Sequence, residues 1–563
     1  MHRRLRSARS GLVLGLAIAL VAAGCSSGKG SGNAGDSTAD LGDPGDCKVV
    51  DVAVSSEKID LMTDLARSFN ASASAKIGGG CVFVRPFSKA SGAAAALLVD
   101  KWRDSSEGPQ PAIWSPASSS WGKIVNQRLA QRGAKALTDD KAVSFQLTPL
   151  VIAMPKPMAD ALGYPDTPVG WGDLVRLATS KEGWAAYGHP EWGAFKLGKT
   201  NPNFSTSGLS ALIGQAYAST AKTRGLSSED LDNPKVEKLA TDLESAAVHY
   251  GDTTLTFLNN WFRTDREGTS LLYASAVAVE EKSIIDYNKG NPDGVLEPGE
   301  KARKPRVPLV AIYPKEGTVY SDNSLYVLNA PWVDATERRG AEAFIKVVQQ
   351  PVNQRKVLSF GFRPGNPDVA VASPISPKYG VDPDQPTKLL QVPDPPVMIK
   401  LLDKWREQRK GARVLLLLDV SGSMKEPADP ANPDGPTKLD LAQKAAITAL
   451  KEFKDDDEVG LRTFTTGLGP NQDQSFQDVV PIAAMQGNRE RLSSAIRNQF
   501  PLAATPLYSA TGDAYHDMVA AYDPARINAV VLLTDGVNDD DDNIEDGRQL
   551  TDLVATLRKG TEG

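Results

Sequence analysis

Short apolar runs alternate with amphipathic segments along most of the chain from residue 47 onward. Residues 49–54, 82–87 and 112–114 predict strands, and residues 57–69 and 91–103 predict the helices between them. Regular alternation of strands and helices favours βαβ units, in which helices flank a parallel sheet. The pattern therefore predicts an α/β domain that begins near residue 47.

The alternation continues with longer elements up to residue 364. Strands are predicted at 147–154 and 307–313, a helix begins at 167–174, and another helix covers 341–358. Residues 195–209 predict a strand, a loop rich in hydroxyl groups, and the start of a helix that runs to Ala218. Residues 366–396 are rich in proline and aspartate, which is typical of a linker.

A second α/β domain is predicted from residue 397 to residue 563. Its strands are predicted at 414–418, 459–464 and 529–534, and its helices at 397–409, 439–453, 488–498, 508–522 and 549–558. The unbroken apolar run at 414–418 is typical of a strand buried on both faces of a parallel sheet.

Polar side chains follow two of the apolar runs in this second domain. Asp419, Ser421 and Ser423 follow the first strand, and Asp535 follows the strand at 529–534. Ligand sites in open α/β sheets form at the carboxyl ends of the strands. Carboxylate and hydroxyl oxygens are hard ligands that suit Mg²⁺. The alternative is that Ser421 and Ser423 only cap the next helix.

The segment DVSGS at 419–423 resembles the DxSxS motif of von Willebrand factor type A domains. That family has a metal-ion-dependent adhesion site, which also uses a threonine and a second aspartate. Thr505 and Asp535 stand in the corresponding order. The resemblance implies a doubly wound Rossmann-like domain that holds Mg²⁺, Mn²⁺ or Ca²⁺ and binds a carboxylate of a protein partner. The last strand and helix of the family pattern are missing, so we expect an incomplete domain with one open sheet edge.

Residues 47–365 resemble periplasmic-type solute-binding proteins of the molybdate, sulfate and iron-carrier kind. The resemblance depends mainly on the strand–STSG–helix segment around Ser205 and on the helix that precedes GFRP at 361–364. It implies two α/β lobes with a cleft between them that closes by a hinge motion.

Clustered hydroxyl groups are the candidate ligands of that cleft. Ser118 and Ser119 follow a strand, and Ser205, Thr206 and Ser207 precede a helix, where free N–H groups and the helix dipole favour an anion. We expect the two groups to face each other across the cleft and to bind a small anion or a polyol. The alternative is that these residues are caps and turns.

The N-terminus predicts export and a lipid anchor. Four arginines precede a short apolar stretch at 11–23, and the sequence AAGC at 22–25 resembles a bacterial lipobox. Residues 1–25 are therefore predicted to be a lipoprotein signal peptide that ends at Cys25, the lipidated residue. A plain secretory peptide is the alternative. Residues 26–46 are rich in Ser, Gly, Asp and Asn and predict a flexible tether.

The other two cysteines, Cys47 and Cys81, each open a predicted strand. An exported protein tends to pair its cysteines, and neighbouring parallel strands bring their starts together. We therefore expect a Cys47–Cys81 disulfide, with two buried free thiols as the alternative.

Composition and charge argue against two classes of function, nucleic-acid binding and catalysis. Hydrophobic residues are 41% and charged residues 23% of 563, which is ordinary for globular domains, and the net charge is only −6. No basic block lies outside the N-terminus, which argues against nucleic-acid binding. The four histidines are scattered, and none lies beside the metal motif to act as a general base, which argues against an enzyme.

These features predict a lipid-anchored protein on the extracytoplasmic face of a bacterial membrane. In the main interpretation it binds a protein partner through the divalent-metal site and also carries a solute-binding-like module. The alternative is a solute receptor of an ABC-type transport system with an accessory type A domain.

Overall fold

The computed structural model describes residues 17–22, 41–103, 107–139, 142–294, 301–430, 432–536, 538–540 and 546–559. The chain forms two compact units. The first unit consists of residues 32–408, and the second of residues 409–563 together with 1–31. Cys25 and most of the predicted tether lie outside the described residues. No helix in the described part of the chain is both long and apolar enough to span a membrane.

The elements follow the predicted alternation of strands and helices. The strands are β1 (Ala17–Ala22), β2 (Lys48–Val54), β3 (Lys76–Ile77), β4 (Gly80–Ser88), β5 (Ile113–Ser115), β6 (Val143–Ser144), β7 (Gln146–Pro155), β8 (Leu197–Thr200), β9 (Ala247–Gly251), β10 (Ala276–Glu280), β11 (Leu309–Ile312), β12 (Tyr320–Ser321), β13 (Ser324–Val327), β14 (Arg363–Pro364), β15 (Gly411–Asp419), β16 (Glu458–Leu468), β17 (Gln474–Ala484) and β18 (Arg526–Thr534). The helices are α1 (Ile59–Asn70), α2 (Ser91–Val99), α3 (Ser119–Gln131), α4 (Lys156–Ala161), α5 (Trp171–Thr179), α6 (Thr206–Thr220), α7 (Pro234–Ser245), α8 (Thr254–Glu267), α9 (Ser270–Tyr273), α10 (Glu281–Lys289), α11 (Ala335–Val348), α12 (Pro351–Ser359), α13 (Pro395–Gln408), α14 (Lys438–Ala449), α15 (Arg489–Arg497), α16 (Leu507–Ala520) and α17 (Asp546–Lys559).

The first lobe of the first unit is built on a sheet of order β3-β4-β2-β5-β13-β6. Strand β2 pairs in parallel with β4 and β5. Its side chains alternate between two cores: Val50, Val52 and Val54 pack with α1 and α11, whereas Ala53 packs with α2 and α3. Both faces of the strand are buried, as its apolar run predicts.

The second lobe is built on a sheet of order β11-β7-β10-β8-β9, with β12 and β14 also paired to β7. Leu150, Ile152 and Met154 of β7 pack on one side of the sheet, and Val151 and Ala153 pack on the other side with α8 and α10. The chain enters this lobe between β6 and β7 and returns to the first lobe between β12 and β13. The first unit is therefore two α/β lobes, which agrees with the two-lobed fold expected from the sequence.

A disulfide joins Cys47 to Cys81, the pair expected from the sequence, and their Cα atoms lie 4.7 Å apart. The parallel register of β2 and β4 pairs Lys48 with Val82. The residues just before this pair are therefore neighbours, which explains why these two thiols meet.

Two predictions about this unit are wrong. The helix predicted at 341–358 is two helices, α11 and α12, because Pro351 has no N–H to continue α11 and opens α12 instead. The segment predicted as a linker, 366–396, and helix α13 after it both pack within the first unit. Ile375, Val381 and Leu390 are buried there, so a few apolar side chains fix a segment whose composition resembles a linker.

The second unit contains a sheet of order β1-β18-β15-β16-β17, in which only β17 runs antiparallel to its neighbour. Leu416 and Leu418 of β15 pack in one core with α14 and α15, whereas Leu415 and Leu417 pack in another with α16. Helices therefore cover both faces of the central strand, as its apolar run predicts.

The edge of this sheet that we expected to be open is paired. Strand β1, which lies inside the predicted signal peptide, aligns its residues 17–22 in parallel with 529–534 of β18. An edge strand presents unpaired N–H and C=O groups, and any extended segment within reach satisfies them. In the described part of the chain β18 is therefore paired on both sides, but β1 belongs to the predicted signal peptide, so cleavage before Cys25 would remove it.

Candidate functional site

Strand ends from both lobes of the first unit surround a cavity, here called the interlobe cleft. It holds about 350 Å³ of space that is open to solvent. The first lobe contributes Ser55, Ser56, Glu57, Ala90, Ser91 and Ala117, and the second lobe contributes Phe204, Ser205, Thr206, Thr253, Thr254, Leu255 and Glu280. Ser55 follows β2, Thr253 follows β9, and Glu280 is the last residue of β10. The cleft therefore lies where α/β folds usually bind ligands.

A buried chain of hydroxyl groups begins at the second-lobe wall of the cleft, where Ser205 and Thr254 line the cavity, and continues behind that wall. The Ser207 hydroxyl lies 3.0 Å from that of Thr200, 2.9 Å from that of Ser205 and 2.7 Å from that of Thr254. The Thr254 hydroxyl donates a hydrogen bond to Oε2 of Glu280 over 3.0 Å. Five polar side chains from separate elements therefore form one network that ends on a carboxylate.

Glu280 is the most perturbed group of the cleft. Its side chain is almost completely buried, and that burial raises its pKa from 4.5 to about 7, with a smaller contribution from the negative charge of Glu57. Glu57 itself accepts a hydrogen bond of 2.5 Å from the Ser55 hydroxyl. Among the described residues that line the cleft, none is a lysine or an arginine. The cleft thus combines two carboxylates with hydroxyl groups and no lining cation.

The residues expected to bind a ligand divide into two groups. Ser205 and Thr206 line the cleft, and Trp121 of the first lobe donates a 2.8 Å hydrogen bond to the Thr206 hydroxyl across it. Ser207 lies one layer deeper and is fully buried. Ser118 and Ser119 do not line the cleft.

Ser118 and Ser119 have the capping role that was the alternative for them. The Ser118 hydroxyl accepts from the N–H of Ser120 at the start of α3, and the N–H of Ser119 donates to Asp322 over 2.6 Å. Because Asp322 already occupies that helix terminus, the N–H of Ser119 is not available to an anion.

Sequence reasoning missed Ser55, Glu57, Thr254 and Glu280. Ser55 directly follows β2 and Glu280 closes β10, whereas Glu57 and Thr254 lie three residues after the ends of β2 and β9. The segment AVAVE at 276–280 lacks the cluster of polar residues that drew attention to DVSGS. A search after the predicted strands finds Ser55 and Glu57, but the strands at 247–251 and 276–280 are not among those predicted, so Thr254 and Glu280 escape it.

The second unit brings together four of the five predicted metal ligands. Oδ1 of Asp419 accepts from the N–H of Ser421 over 2.8 Å, and its Oδ2 accepts from the Thr534 hydroxyl over 2.6 Å. The Ser421 and Ser423 hydroxyls are 3.1 Å apart, and Ser423 donates to Asp535 over 3.1 Å. The carboxyl ends of the adjacent strands β15 and β18 therefore join in one hydrogen-bonded chain.

The fifth residue, Thr505, lies on a loop that packs against the same turn. Its neighbour Ala503 accepts a hydrogen bond from the N–H of Gly422 over 2.6 Å, and the N–H of Leu502 donates to Val420 over 2.7 Å. The backbone of Thr505 itself pairs with Asp539. The loop is thus held beside the DVSGS turn.

One ammonium group also belongs to this cluster. Lys438 at the start of α14 donates to Asp535 over 2.9 Å and to Glu426 over 2.7 Å. Burial raises the pKa of the Asp419 carboxyl, and the nearby negative charge of Asp535 acts in the same direction. Within the part of the chain that the structure describes, no three His, Cys, Asp or Glu side chains are grouped as a metal site. The donor set near Asp419 is two carboxylates and hydroxyls, which suits a hard cation that keeps several waters.

The first unit matches a known protein family. The family model for bacterial extracellular solute-binding proteins matches residues 50–363, more than half of the chain. Solved structures with similar folds include a periplasmic thiamin-binding protein, with 10% identity over 64% of this chain and 96% of that chain and a TM-score of 0.42.

Two further solved structures are similar at a comparable level. The periplasmic binding protein AfuA from Actinobacillus pleuropneumoniae, with fructose-6-phosphate bound, has 14% identity over 64% of this chain and 99% of that chain and a TM-score of 0.40. Iron-bound HitA from Pseudomonas aeruginosa has 12% identity over 64% and 99% of the two chains and a TM-score of 0.39. No curated protein matches the chain. On the evidence of the family match, the chain belongs to the bacterial extracellular solute-binding proteins.

Proposed function

We propose that the first unit is a solute receptor that captures a small polar molecule in the interlobe cleft and presents it to an ABC-type transporter. The observation that carries the proposal is the network of Ser205, Ser207, Thr254 and Glu280 at the wall of a cavity formed by strand ends. Buried polar groups aimed at a concave site are typical of ligand binding. Membership of an extracellular solute-binding family supports a binding role outside the cytoplasm rather than catalysis.

Contacts between the lobes support closure around the solute. Trp121 donates to Thr206 across the cleft, and the N–H of Gly92 donates to the carbonyl of Phe204 over 3.1 Å. A Cβ at Gly92 would lie 1.8 Å from the carbonyl oxygen of Asn203, so only glycine allows this approach of the lobes. We expect these contacts to be part of the closed form of the receptor.

Solute-dependent stability tests this function. A solute present at about one hundred times its Kd raises the free energy of unfolding by about 2.7 kcal/mol if it binds only the folded protein. The full chain is screened by thermal unfolding against amines, polyols and carboxylates. Stabilisation that is lost in Ser205→Ala or Thr254→Val supports the receptor, and the absence of any stabilising compound contradicts it. Thr179→Val, an exposed position outside the cleft, is the matched control.

Lipid anchorage at Cys25 completes the proposed receptor. A receptor outside the cytoplasm must stay near its transporter, and a lipid on Cys25 followed by the tether at 26–46 would hold it at the membrane. Stable anchorage by lipid follows from burying acyl chains in the bilayer.

A second candidate function concerns the second unit, the one that resembles a von Willebrand factor type A domain. It binds a protein partner through a divalent cation, Mg²⁺, Mn²⁺ or Ca²⁺, that would be held by Asp419, Ser421 and Ser423, with Thr505 and Asp535 completing the shell. The specific observation in its favour is the hydrogen-bonded chain from Asp419 through the N–H of Ser421 and the hydroxyls of Ser421 and Ser423 to Asp535. A bound cation would supply an open position for a partner carboxylate. The residues of this chain fix the oxygens at the strand ends, and Lys438 neutralises Asp535.

A further inference from the structure

The interlobe cleft carries a surplus of negative charge. Glu57 and Glu280 both line it, and no lysine or arginine is among its described lining residues. The lysines whose charges act on Glu57 and Glu280 are Lys58 and Lys282, and both are buried, outside the lining and bound to other groups. An anion in this cleft would therefore face two carboxyl groups with no cation in direct contact, which is unfavourable in a partly buried site. Charge alone therefore disfavours the anion expected from the sequence.

The directions of the hydrogen bonds give independent evidence. A hydroxyl has one O–H to donate, and that of Thr254 goes to Glu280. Ser207 must then donate to Thr254, and Thr200 and Ser205 must donate to Ser207. All four hydroxyl protons are therefore used in hydrogen bonds that lead to the carboxylate. The Ser205 oxygen can only accept hydrogen bonds from a solute in the cleft.

The first-lobe side of the cleft repeats this arrangement. The Ser55 hydroxyl donates a hydrogen bond to Glu57, so its oxygen can only accept hydrogen bonds from a solute in the cleft. Thr206 is different, because it accepts from Trp121 and keeps its own O–H for an acceptor on the solute. The wall is therefore rich in acceptors, with one hydroxyl donor in Thr206, and it fits a solute that is rich in N–H donors.

A bare metal ion fits this wall less well than an organic cation. No group of three or more His, Cys, Asp or Glu side chains is found among the described residues, so the two carboxylates have no third strong ligand.

We propose that the solute is a small organic cation with N–H groups, a primary amine or a guanidine, whose charged end binds between Glu57 and Glu280. This inference rests on the proposed receptor function and specifies its substrate class. The ammonium would donate to the free oxygens of the two carboxylates and to the Ser205 and Ser55 hydroxyls. Thr206 would contact an acceptor elsewhere on the solute.

Calorimetric titration of the full chain tests the inference. The probes are three matched panels: putrescine, agmatine and lysine as cations, butanediol and glycerol as neutral polyols, and succinate and glutarate as anions. We expect binding within the first panel only. Glu280→Gln and Glu57→Gln are each expected to weaken it by about tenfold or more, because each removes a charge-assisted hydrogen bond. The exposed Glu182→Gln, which lies outside the cleft, should leave the affinity unchanged.

The outcomes separate the substrate class from the receptor function. Binding of a polyol or an anion that is lost in Ser205→Ala overturns the cationic solute and leaves the receptor standing. Binding of an amine with equal affinity by wild type, Glu280→Gln and Glu57→Gln also overturns it. If no compound of any panel binds, both the substrate class and the receptor function are contradicted. Because Gln keeps the size of Glu, circular dichroism of each variant separates lost binding from lost folding.

Discussion

The hydroxyl of Thr254 donates to the carboxylate of Glu280 across 3.0 Å, and this contact orients every other hydroxyl of the network. Thr254 begins α8 and Glu280 ends β10, so the pair joins two elements of the second lobe at the cleft wall. A carboxylate at this depth is costly to ionise. An ionised Glu280 therefore lowers the stability of the folded protein.

The burial of Glu280 predicts a pH-dependent stability. Its pKa is about 7 in the folded protein against 4.5 in the unfolded chain, so the folded state binds more protons between these values. Stability should therefore fall as the pH rises from about 4.5 to about 7, and the loss is complete above that range. Glu57 adds to the upward shift and Lys282 opposes it.

Glu280→Gln should remove this penalty. At about pH 8 we expect the variant to be more stable than the wild type by up to about 3 kcal/mol, and at about pH 4 the two should be equally stable. Urea unfolding at the two pH values measures the difference. If Glu280→Gln and the wild type differ by the same free energy of unfolding at both pH values, the cost of burying an ionised Glu280 is contradicted. The exposed Glu182→Gln is the control.

The disulfide predicts a second stability effect. Cys47 and Cys81 are separated by 34 residues. Closing a loop of this length restricts the unfolded chain and contributes roughly 3–4 kcal/mol. The double variant Cys47→Ser/Cys81→Ser should lose this amount in denaturant unfolding, and a reducing agent should act on the wild type alone. Free thiols in the exported protein, detected by mass spectrometry, would reject the pairing.

The metal proposal predicts opposite effects at two positions of the second unit. Asp419→Ala should abolish Mg²⁺ binding and leave the fold intact, because the apolar residues of β15 are unchanged. Lys438→Met should strengthen Mg²⁺ binding by about fivefold, because the ammonium that neutralises Asp535 is a competing cation. Calorimetric titration with Mg²⁺ measures both.

The exposed Lys451→Met is the control for charge alone. Equal Mg²⁺ affinity in wild type and Asp419→Ala would contradict the proposed metal site. Weaker binding in Lys438→Met would show that Lys438 supports the site rather than competing for it.

Lipid anchorage predicts a change of fractionation. Cys25→Ser should move the protein from the membrane fraction to the soluble fraction, because it removes the acceptor of the lipid. Ser26→Ala is the matched control and should stay with the membranes. A Cys25→Ser protein that stays with membranes after signal cleavage would contradict the anchor.

The elements of both units could be predicted because their signals are local. The burial of Leu415 to Leu418 on both faces of the sheet follows from an apolar run, and Asp419 and Asp535 converge because parallel strands share a carboxyl edge. The interruption at Pro351 is also a local signal and could have been predicted.

The chemistry of the cleft could not be predicted in the same way. Thr254 and Glu280 are 26 residues apart, and their contact depends on how α8 packs against β10. Lys438 and Asp535 are 97 residues apart and give no pattern in the sequence. Ser118 and Ser119 follow a strand, and a hydroxyl in that position gives the same local signal whether it caps a helix or lines a cleft.

Identification of the solute that the protein carries when it is isolated tests most directly whether it is a receptor for an organic cation. The full chain is purified without added ligand and denatured, and the released small molecules are measured by mass spectrometry beside the Glu280→Gln variant. We expect a cationic amine or guanidine that is released from the wild type and strongly depleted in the variant. An anionic or uncharged solute released equally from both proteins would contradict it.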